Sequence, residues 1–373
     1  MEQLEWAKDA ADKIKQKLEV VAERNCDKIP YTTENGRFND CSKSAPCWWT
    51  NGFWGGILWQ MYHATGKERY KEIAIENEKK LDNNLLNPRE MDHDSGFKWL
   101  PTAVVHYRET GEEESFRRGL LAAENLAGRF NPAGQFIRAW NDDGDGKNAG
   151  IAIIDCMMNL PLLYWASEQT NDPRFAQIAR LHADTTQKYF VRENGSVIHI
   201  GEFDPQSGEF LQSIGGQGYG RGSSWTRGQA WAVYGFTLSY LHTKKESYLV
   251  TAERVADYFL AHIPETGLIP VDFDQPAEVT YEDSTAAAIV SCGLLELAKV
   301  ADAKKQEVYR AAAFRLLKNL IEWRCDFGTD CDAIVQRCTA AYHDKEHEFH
   351  IIYGDYFLIE ALWKLTGEEL FIW

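Results

Sequence analysis

Apolar residues recur at helical spacing along most of the chain, and short polar turns break the runs at regular intervals. The spacing predicts about a dozen helices, near 3–24, 52–65, 68–87, 97–109, 113–130, 150–169, 173–191, 225–242, 246–263, 283–300, 304–324 and 355–366. A turn signature recurs between them: Thr65-Gly-Lys-Glu-Arg-Tyr70, Thr110-Gly-Glu-Glu-Glu-Ser-Phe116, Thr170-Asn-Asp-Pro-Arg-Phe175 and Thr243-Lys-Lys-Glu-Ser-Tyr248. A degenerate copy spans Asp302 to Tyr309, and another begins at Thr366-Gly367. Gly or Asn in the turn suits the left-handed position that ends a helix, and the acidic residues suit the first turn of the next. Hairpins repeated in this way need mutual burial, and six of them closed into a ring leave no exposed end. The expected fold is therefore all-α, an (α/α)6 barrel occupying residues 1–373 as a single domain. Short strands are expected at Val197–Ile200 and Gly267–Asp272, within the longer connections. Those connections, 25–50, 88–96, 131–149, 192–224, 264–282 and 325–354, all fall on the side opposite the Thr turns, which is where a site is sought.

Composition suits such a body, with 44% hydrophobic and 26% charged residues. Aromatics reach 13%, including 13 Trp and 16 Tyr; part of that excess is core, and flat amphipathic rings also suit sugar faces. The formal charge of −16 and the absence of a basic run argue against a nucleic-acid partner. No stretch approaches the roughly 18 apolar residues of a membrane span, so no membrane partner is expected. Eight cysteines occur with no CxxC pair, which supports neither a redox motif nor a zinc ribbon. Cys41/Cys47 or Cys325/Cys331 would close short loops as disulfides. The lack of an apolar leader in MEQLEWAKDAADKIKQ and the setting of Cys156 and Cys292 in apolar runs favour a reduced, cytoplasmic location. A monomer or weak homo-oligomer is expected.

Asp155 stands in Ile153-Ile-Asp155-Cys-Met-Met, an apolar setting in which a carboxylate loses hydration and gains a higher pKa. It is either a glycosidase acid or a structural Asp satisfied by backbone N–H groups or an Arg. Asp94, in Asp92-His-Asp94-Ser-Gly-Phe97, is either an N-cap or the second of two carboxylates flanking a glycoside. Arg227 and Trp231 share a helix face in Ser224-Trp-Thr-Arg227-Gly-Gln-Ala-Trp231. A guanidinium fork beside an indole fits a carboxylated sugar, and it equally fits an exposed Arg over a core Trp. The run Gly215-Gly-Gln217-Gly-Tyr-Gly-Arg-Gly222 lacks the spacing of a phosphate or dinucleotide loop, so it reads as a tight turn presenting Gln217, and no cofactor is expected. His343, His347 and His350 do not follow zinc spacing, so no metal is expected.

Six motifs together carry a resemblance over nearly the whole chain. They are Asn51-Gly-Phe-Trp54-Gly-Gly-Ile-Leu-Trp59, Asp92–Phe97, Phe136-Ile-Arg-Ala-Trp140, Ile153–Leu163, Ser224–Trp231 and Tyr353-Gly-Asp-Tyr356. In these the sequence resembles the unsaturated glucuronyl hydrolases, glycoside hydrolase family 88. The resemblance implies the same barrel and, as substrate, lyase-generated oligosaccharides ending in a Δ4,5-unsaturated uronic acid, with glycosaminoglycan-type disaccharides foremost. It implies that Asp155 protonates C4 and assists water addition at C5, with Asp94 as its partner. It nominates His199, Gln217, Arg227, Trp231, Asn51, His93, Tyr342 and His343 for substrate binding, with Trp49 and Trp140 as aromatic walls. Asn51 stands where such proteins commonly have Asp, and the loop from Tyr342 to Tyr353 lacks a Ser/Lys pattern associated with sulfated leaving groups. Alternatives are an unsaturated rhamnogalacturonyl hydrolase, a sugar epimerase using His199 and His343, and a non-catalytic glycan-binding ring.

Overall fold

The computed structural model describes residues 4–373 apart from 143 and 145; residue 3, where the sequence places the first helix start, lies outside the described residues. In chain order the elements are α1 (Glu5–Arg24), β1 (Thr33–Glu34), β2 (Arg37–Phe38), α2 (Cys41–Ser44), α3 (Phe53–Thr65), α4 (Glu68–Lys80), α5 (Asp82–Leu85) and α6 (Ser95–Trp99). A π-helical turn, Leu100–Val104, joins α6 to α7 (Val105–Thr110), followed by α8 (Glu113–Gly128), β3 (Phe130–Asn131), β4 (Phe136–Ile137) and β5 (Ile151–Ile153). A 3-10 turn, Ile154–Met158, leads to α9 (Leu160–Thr170), α10 (Pro173–Tyr189), β6 (Ile200–Phe203) and β7 (Phe210–Ile214). The chain then forms α11 (Thr226–Thr243), α12 (Glu246–Ala261), α13 (Ser284–Val300), α14 (Ala303–Arg324) and α15 (Ile352–Thr366).

These helices make the expected (α/α)6 barrel. The inner ring runs α3, α6–α7, α9, α11, α13, α15 and back to α3, and each neighbour pair is in contact. Helices α11, α13 and α15 are buried on nearly every face, as a helix walled by others must be. The outer helices α4, α8, α10, α12 and α14 each follow an inner one through the short turn, and their buried residues form a stripe along one face. The sixth pair is made differently: α15 packs against α1, so the first and last helices close the ring. After α15 the chain turns inward, and Trp373 stacks on Phe357 at 5.8 Å and meets Phe97 edge-on at 6.0 Å in the barrel's axis.

The turn signature has a physical basis in its threonine. The Thr65, Thr110, Thr170 and Thr243 hydroxyls each donate to the carbonyl four residues back, at 2.6–2.8 Å, and accept from the N–H two residues on, at 3.2–3.3 Å. The next residue, Gly66, Gly111, Asn171 or Lys244, holds the left-handed conformation with φ between 56° and 76°.

Five sequence readings are corrected. Residues 150–169 do not form one helix: β5 pairs antiparallel with β6 (Ile153 opposite Ile200), and α9 starts only at Leu160. An apolar run of that length fits strand and helix alike, while Pro161 in the first turn marks the true start. The strand placed at Val197–Ile200 lies mainly at β6, three residues later, leaving one bridge at Val197. Gly267–Asp272 forms isolated bridges to Glu282 and Trp225 and no continuous strand. The helix expected over 68–87 breaks after Lys80, and that expected over 355–366 starts at Ile352.

Candidate active site

The long connections meet around a cleft of about 340 Å³. Its walls are Trp48, Trp49 and Trp140, and its floor carries Asp92, His93, Asp94, Asp155, His199 and Gln217. Trp48 and Trp140 are 43% and 41% exposed, and both line the cleft. Trp49 is half-buried, and it leans on Phe97 at 5.4 Å and Tyr353 at 5.0 Å, which ties the wall to the core.

Asp94 and Asp155 reach this floor from two segments pressed together. A Cβ on Gly96 would stand 2.5 Å from Asn159 Cα, so only glycine lets the start of α6 approach the 3-10 turn so closely. Asn159 clamps the approach: its Oδ1 accepts from Phe97 N–H at 2.9 Å, and its Nδ2 lies 3.3 Å from both Asp94 Oδ1 and the Asp155 carbonyl. Asp94 occupies the N-cap position of α6, yet its side chain makes no capping bond. The carboxylate that does local structural work is Asp92, which accepts from Asp94 N–H at 2.9 Å and from Lys98 Nζ at 3.1 Å.

Burial dominates the electrostatics here. It holds the Asp94 carboxyl well above the usual carboxylate range, and the negative charges of Asp92 and Asp155 add to the effect. Burial also pushes Asp155 up to about 6, with the Arg227 charge restraining the rise. Asp155 Oδ2 is buried without a hydrogen-bond partner; His199 Nε2 faces it at 3.6 Å, too far for a hydrogen bond. Gln217 N–H donates to His199 Nδ1 at 2.9 Å, so the ring proton sits on Nε2, the side that faces Asp155. Burial, reinforced by the Arg227 charge, lowers His199 to about 3, and burial does the same to His93, so both rings are neutral. His93 Nε2 lies 3.5 Å from Asp94 Oδ1.

The other nominated residues lie further back. Arg227 does not line the cleft. Its buried guanidinium is held by Asp283 and by the carbonyls of Thr339 and Ala340, and it stacks over Trp225 at 4.5 Å. It acts on the cleft through its field. Trp231 is core, against Phe97 at 5.1 Å and Phe357 at 5.4 Å. Asn51 is also buried, donating to the Ala45 carbonyl at 3.0 Å and bracing the loop that carries Trp48 and Trp49. Tyr342 and His343 flank the cleft on a neighbouring loop: Tyr342 N–H donates to the Gln217 carbonyl, and His343 Nε2 lies 2.9 Å from the Tyr219 carbonyl. His347 and His350 turn to other partners, the Tyr342 carbonyl and the Thr33 hydroxyl. Among the described residues no group of three or more His, Cys, Asp or Glu gathers as metal ligands would. Sequence reasoning gave Trp48, Cys47, Asp92, Asn159 and Asp283 no role at the site. The one available signal was Asn159, which falls four residues after Asp155.

Comparison with known proteins matches residues 21–352 to the model described as Glycosyl Hydrolase Family 88. An unsaturated glucuronyl hydrolase of Bacillus sp. (strain GL1) is 38% identical over 327 residues, covering 85% of this chain and 86% of the relative. An unsaturated chondroitin disaccharide hydrolase of Streptococcus pneumoniae is 33% identical over 333 residues, covering 87% of this chain and 83% of the relative. Among solved structures, a mutant unsaturated glucuronyl hydrolase from Streptococcus agalactiae complexed with dGlcA-GalNAc6S superposes with a TM-score of 0.84 at 29% identity, over 98% of this chain and 93% of that one.

Proposed function

The chain belongs to glycoside hydrolase family 88, and on that premise we infer that it removes the Δ4,5-unsaturated uronic acid from the non-reducing end of lyase-generated oligosaccharides. It is a glycoside hydrolase, and its relatives act on glycosaminoglycan-type unsaturated disaccharides, the substrate class we assign to it. The observation that carries the reading is the pairing on the cleft floor of a protonatable Asp155 with a neutral, Nε2-protonated His199.

In this reading Asp155 donates its proton to C4 of the vinyl ether, and positive charge develops at C5 and the ring oxygen. Water adds at C5, returning a proton to the Asp155 carboxylate. The hemiketal so formed opens to a C5 ketone, and C1, left as a hemiacetal, releases the remaining saccharide. No covalent sugar–enzyme bond is formed. Asp94 orients the sugar beside Asp155, and ionisation of Asp155 raises the proton affinity of Asp94 in turn. The Arg227 field and the His199 Nε2–H offer positive potential toward the sugar carboxylate, and Trp49 and Trp140 supply faces for the rings. An epimerase would need a histidine base, and a ring lowered to about 3 at His199 is poorly suited to that work.

Eight unpaired thiols support a reducing, cytoplasmic setting. One dominant core cluster supports a single domain. Among the described residues no helix is long and apolar enough to cross a membrane.

The test follows the ultraviolet absorbance of the C4=C5 bond in chondroitin-, heparin-, hyaluronan- and pectin-derived unsaturated disaccharides. Wild type bleaches it, while Asp155→Asn and Asp94→Asn lose turnover by roughly 100-fold or more. Turnover retained in Asp155→Asn contradicts the mechanism, and consumption of the pectin fragments alone would make the enzyme a rhamnogalacturonyl hydrolase.

A further inference from the structure

The glycine-rich run that matches no phosphate loop forms a strap, residues 215–223, across one edge of the cleft. Its inner face bears on His199, where Gln217 N–H meets Nδ1 at 2.9 Å. Gly216 makes the approach possible: φ is +69°, and a Cβ there would stand 2.1 Å from His199 Nδ1. The outer side of the strap is anchored on one fully buried carboxylate. Asp272 Oδ2 accepts from Tyr219 N–H at 2.9 Å and from the Ser223 hydroxyl at 2.6 Å, and its Oδ1 accepts from Asp274 N–H at 2.9 Å. Asp272 is itself fixed to the base of α11, because Thr226 N–H donates to the Val271 carbonyl and Phe273 N–H to the Ser224 carbonyl. The strap is thus held at Asp272 and delivers one N–H to the imidazole beside Asp155.

We propose that Asp272 is a positioning residue for the reaction: by anchoring the strap it keeps Gln217 N–H on His199 Nδ1 and so keeps the Nε2 proton facing Asp155. The proposal rests on the reading of Asp155 as the proton donor. If the strap drifts, Nδ1 loses its donor, the neutral ring is free to carry its proton on either nitrogen, and an Nδ1–H tautomer presents a lone pair to Asp155. Asparagine cannot replace Asp272 cleanly. Both of its oxygens accept, so the amide NH2 would face a donor. The titratable and charged groups around Asp155 are Arg227 from α11, Asp94 from the start of α6, Cys156, His93 and His199, while Asp272, whose carboxyl burial raises, faces Asp274 and Arg192.

The experiment combines kinetics with histidine 15N NMR of the full chain, with His199 assigned through His199→Gln. Wild type shows His199 as the Nε2–H tautomer. Asp272→Asn is expected to show mixed tautomers, a fall in kcat of roughly 10- to 100-fold with KM little changed, and a shifted kcat/KM pH profile. Gly216→Ala should reproduce the tautomer change from the opposite side, and Ser223→Ala is the milder variant should Asp272→Asn fail to fold. A variant less stable to heat but wild-type in tautomer and pH profile overturns the proposal, as does mixed tautomer with unchanged kcat. The tautomer measurement needs no substrate. Wild type inert on every disaccharide would therefore refute the assigned function and leave the strap's hold on His199 to be decided by the spectrum.

Discussion

An aspartate that binds its proton more tightly in the folded chain than in the unfolded one destabilises the fold once the pH ionises it in the unfolded state. Asp155, raised from 3.8 to about 6 mainly by burial, is in that position. Below about pH 3.8 both states are protonated and the group contributes nothing; the penalty grows as pH rises through that window and is complete above about 6. Asp155→Asn should therefore unfold at higher urea than wild type at pH 8, by about 1–2 kcal/mol because the side chain remains partly open to the cleft, with the gain gone at pH 3.5. An equal urea midpoint at pH 8 would mean that the carboxylate is solvated. Activity has the opposite dependence: the donor must hold a proton, so kcat/KM should fall as pH rises past about 6. Asp94 and Asp155 were visible in the sequence as a candidate pair of acids at segment starts, but the packing that brings them together was not. It depends on Gly96 packing against Asn159, a contact between residues 63 positions apart that carries no local periodicity. Arg227 was legible as important and misread in manner, because nothing near it in sequence reveals that Asp283 and residues 339–340 occupy its fork.

Helix periods and turn punctuation were readable wherever an amphipathic outer helix met a Thr turn, since both signals are local. The threonine's role was not, because a hydroxyl bridging a carbonyl four residues back and an N–H two residues on leaves no mark beyond the residue itself. Thr110→Val keeps the shape and removes both bonds at the end of α7. A loss of about 1 kcal/mol in urea unfolding is expected, with kcat unchanged because the turn lies some 20 Å along the helix from the cleft. A drop in kcat would show that the turn end and the cleft are coupled. The strand–turn stretch at 151–158 was illegible for the converse reason: its apolar residues satisfy both periods, and its partner strand lies about fifty residues on.

At the scale of the ring, closure and cleft share one aromatic column. Trp373 stacks on Phe357 and meets Phe97, and Phe97 supports Trp49 at the cleft wall. Trp373 Nε1 also donates to Glu360 at 2.8 Å. Trp373→Ala should cost about 3–5 kcal/mol by urea denaturation and should also lower activity, because the floor under Trp49 loses its backing. Stability lost at full activity would show that the column ends at Phe97. The number of hairpins suggested the ring. That the sixth pair joins α1 to α15 was beyond local reading, since it depends on contacts more than 300 residues apart.

The lining of the cleft lies wholly between residues 47 and 217, whereas part of its bracing, Arg227, Asp272, Asp283 and the loop at 339–342, comes later. Synthesis proceeds from the first residue to the last, so a ribosome delivers every side chain that lines the cleft before these later props. The nascent chain passes through a stage in which the wall is complete and its props are still unmade. Activity should emerge late and abruptly, with the last hairpin, rather than in proportion to the length made.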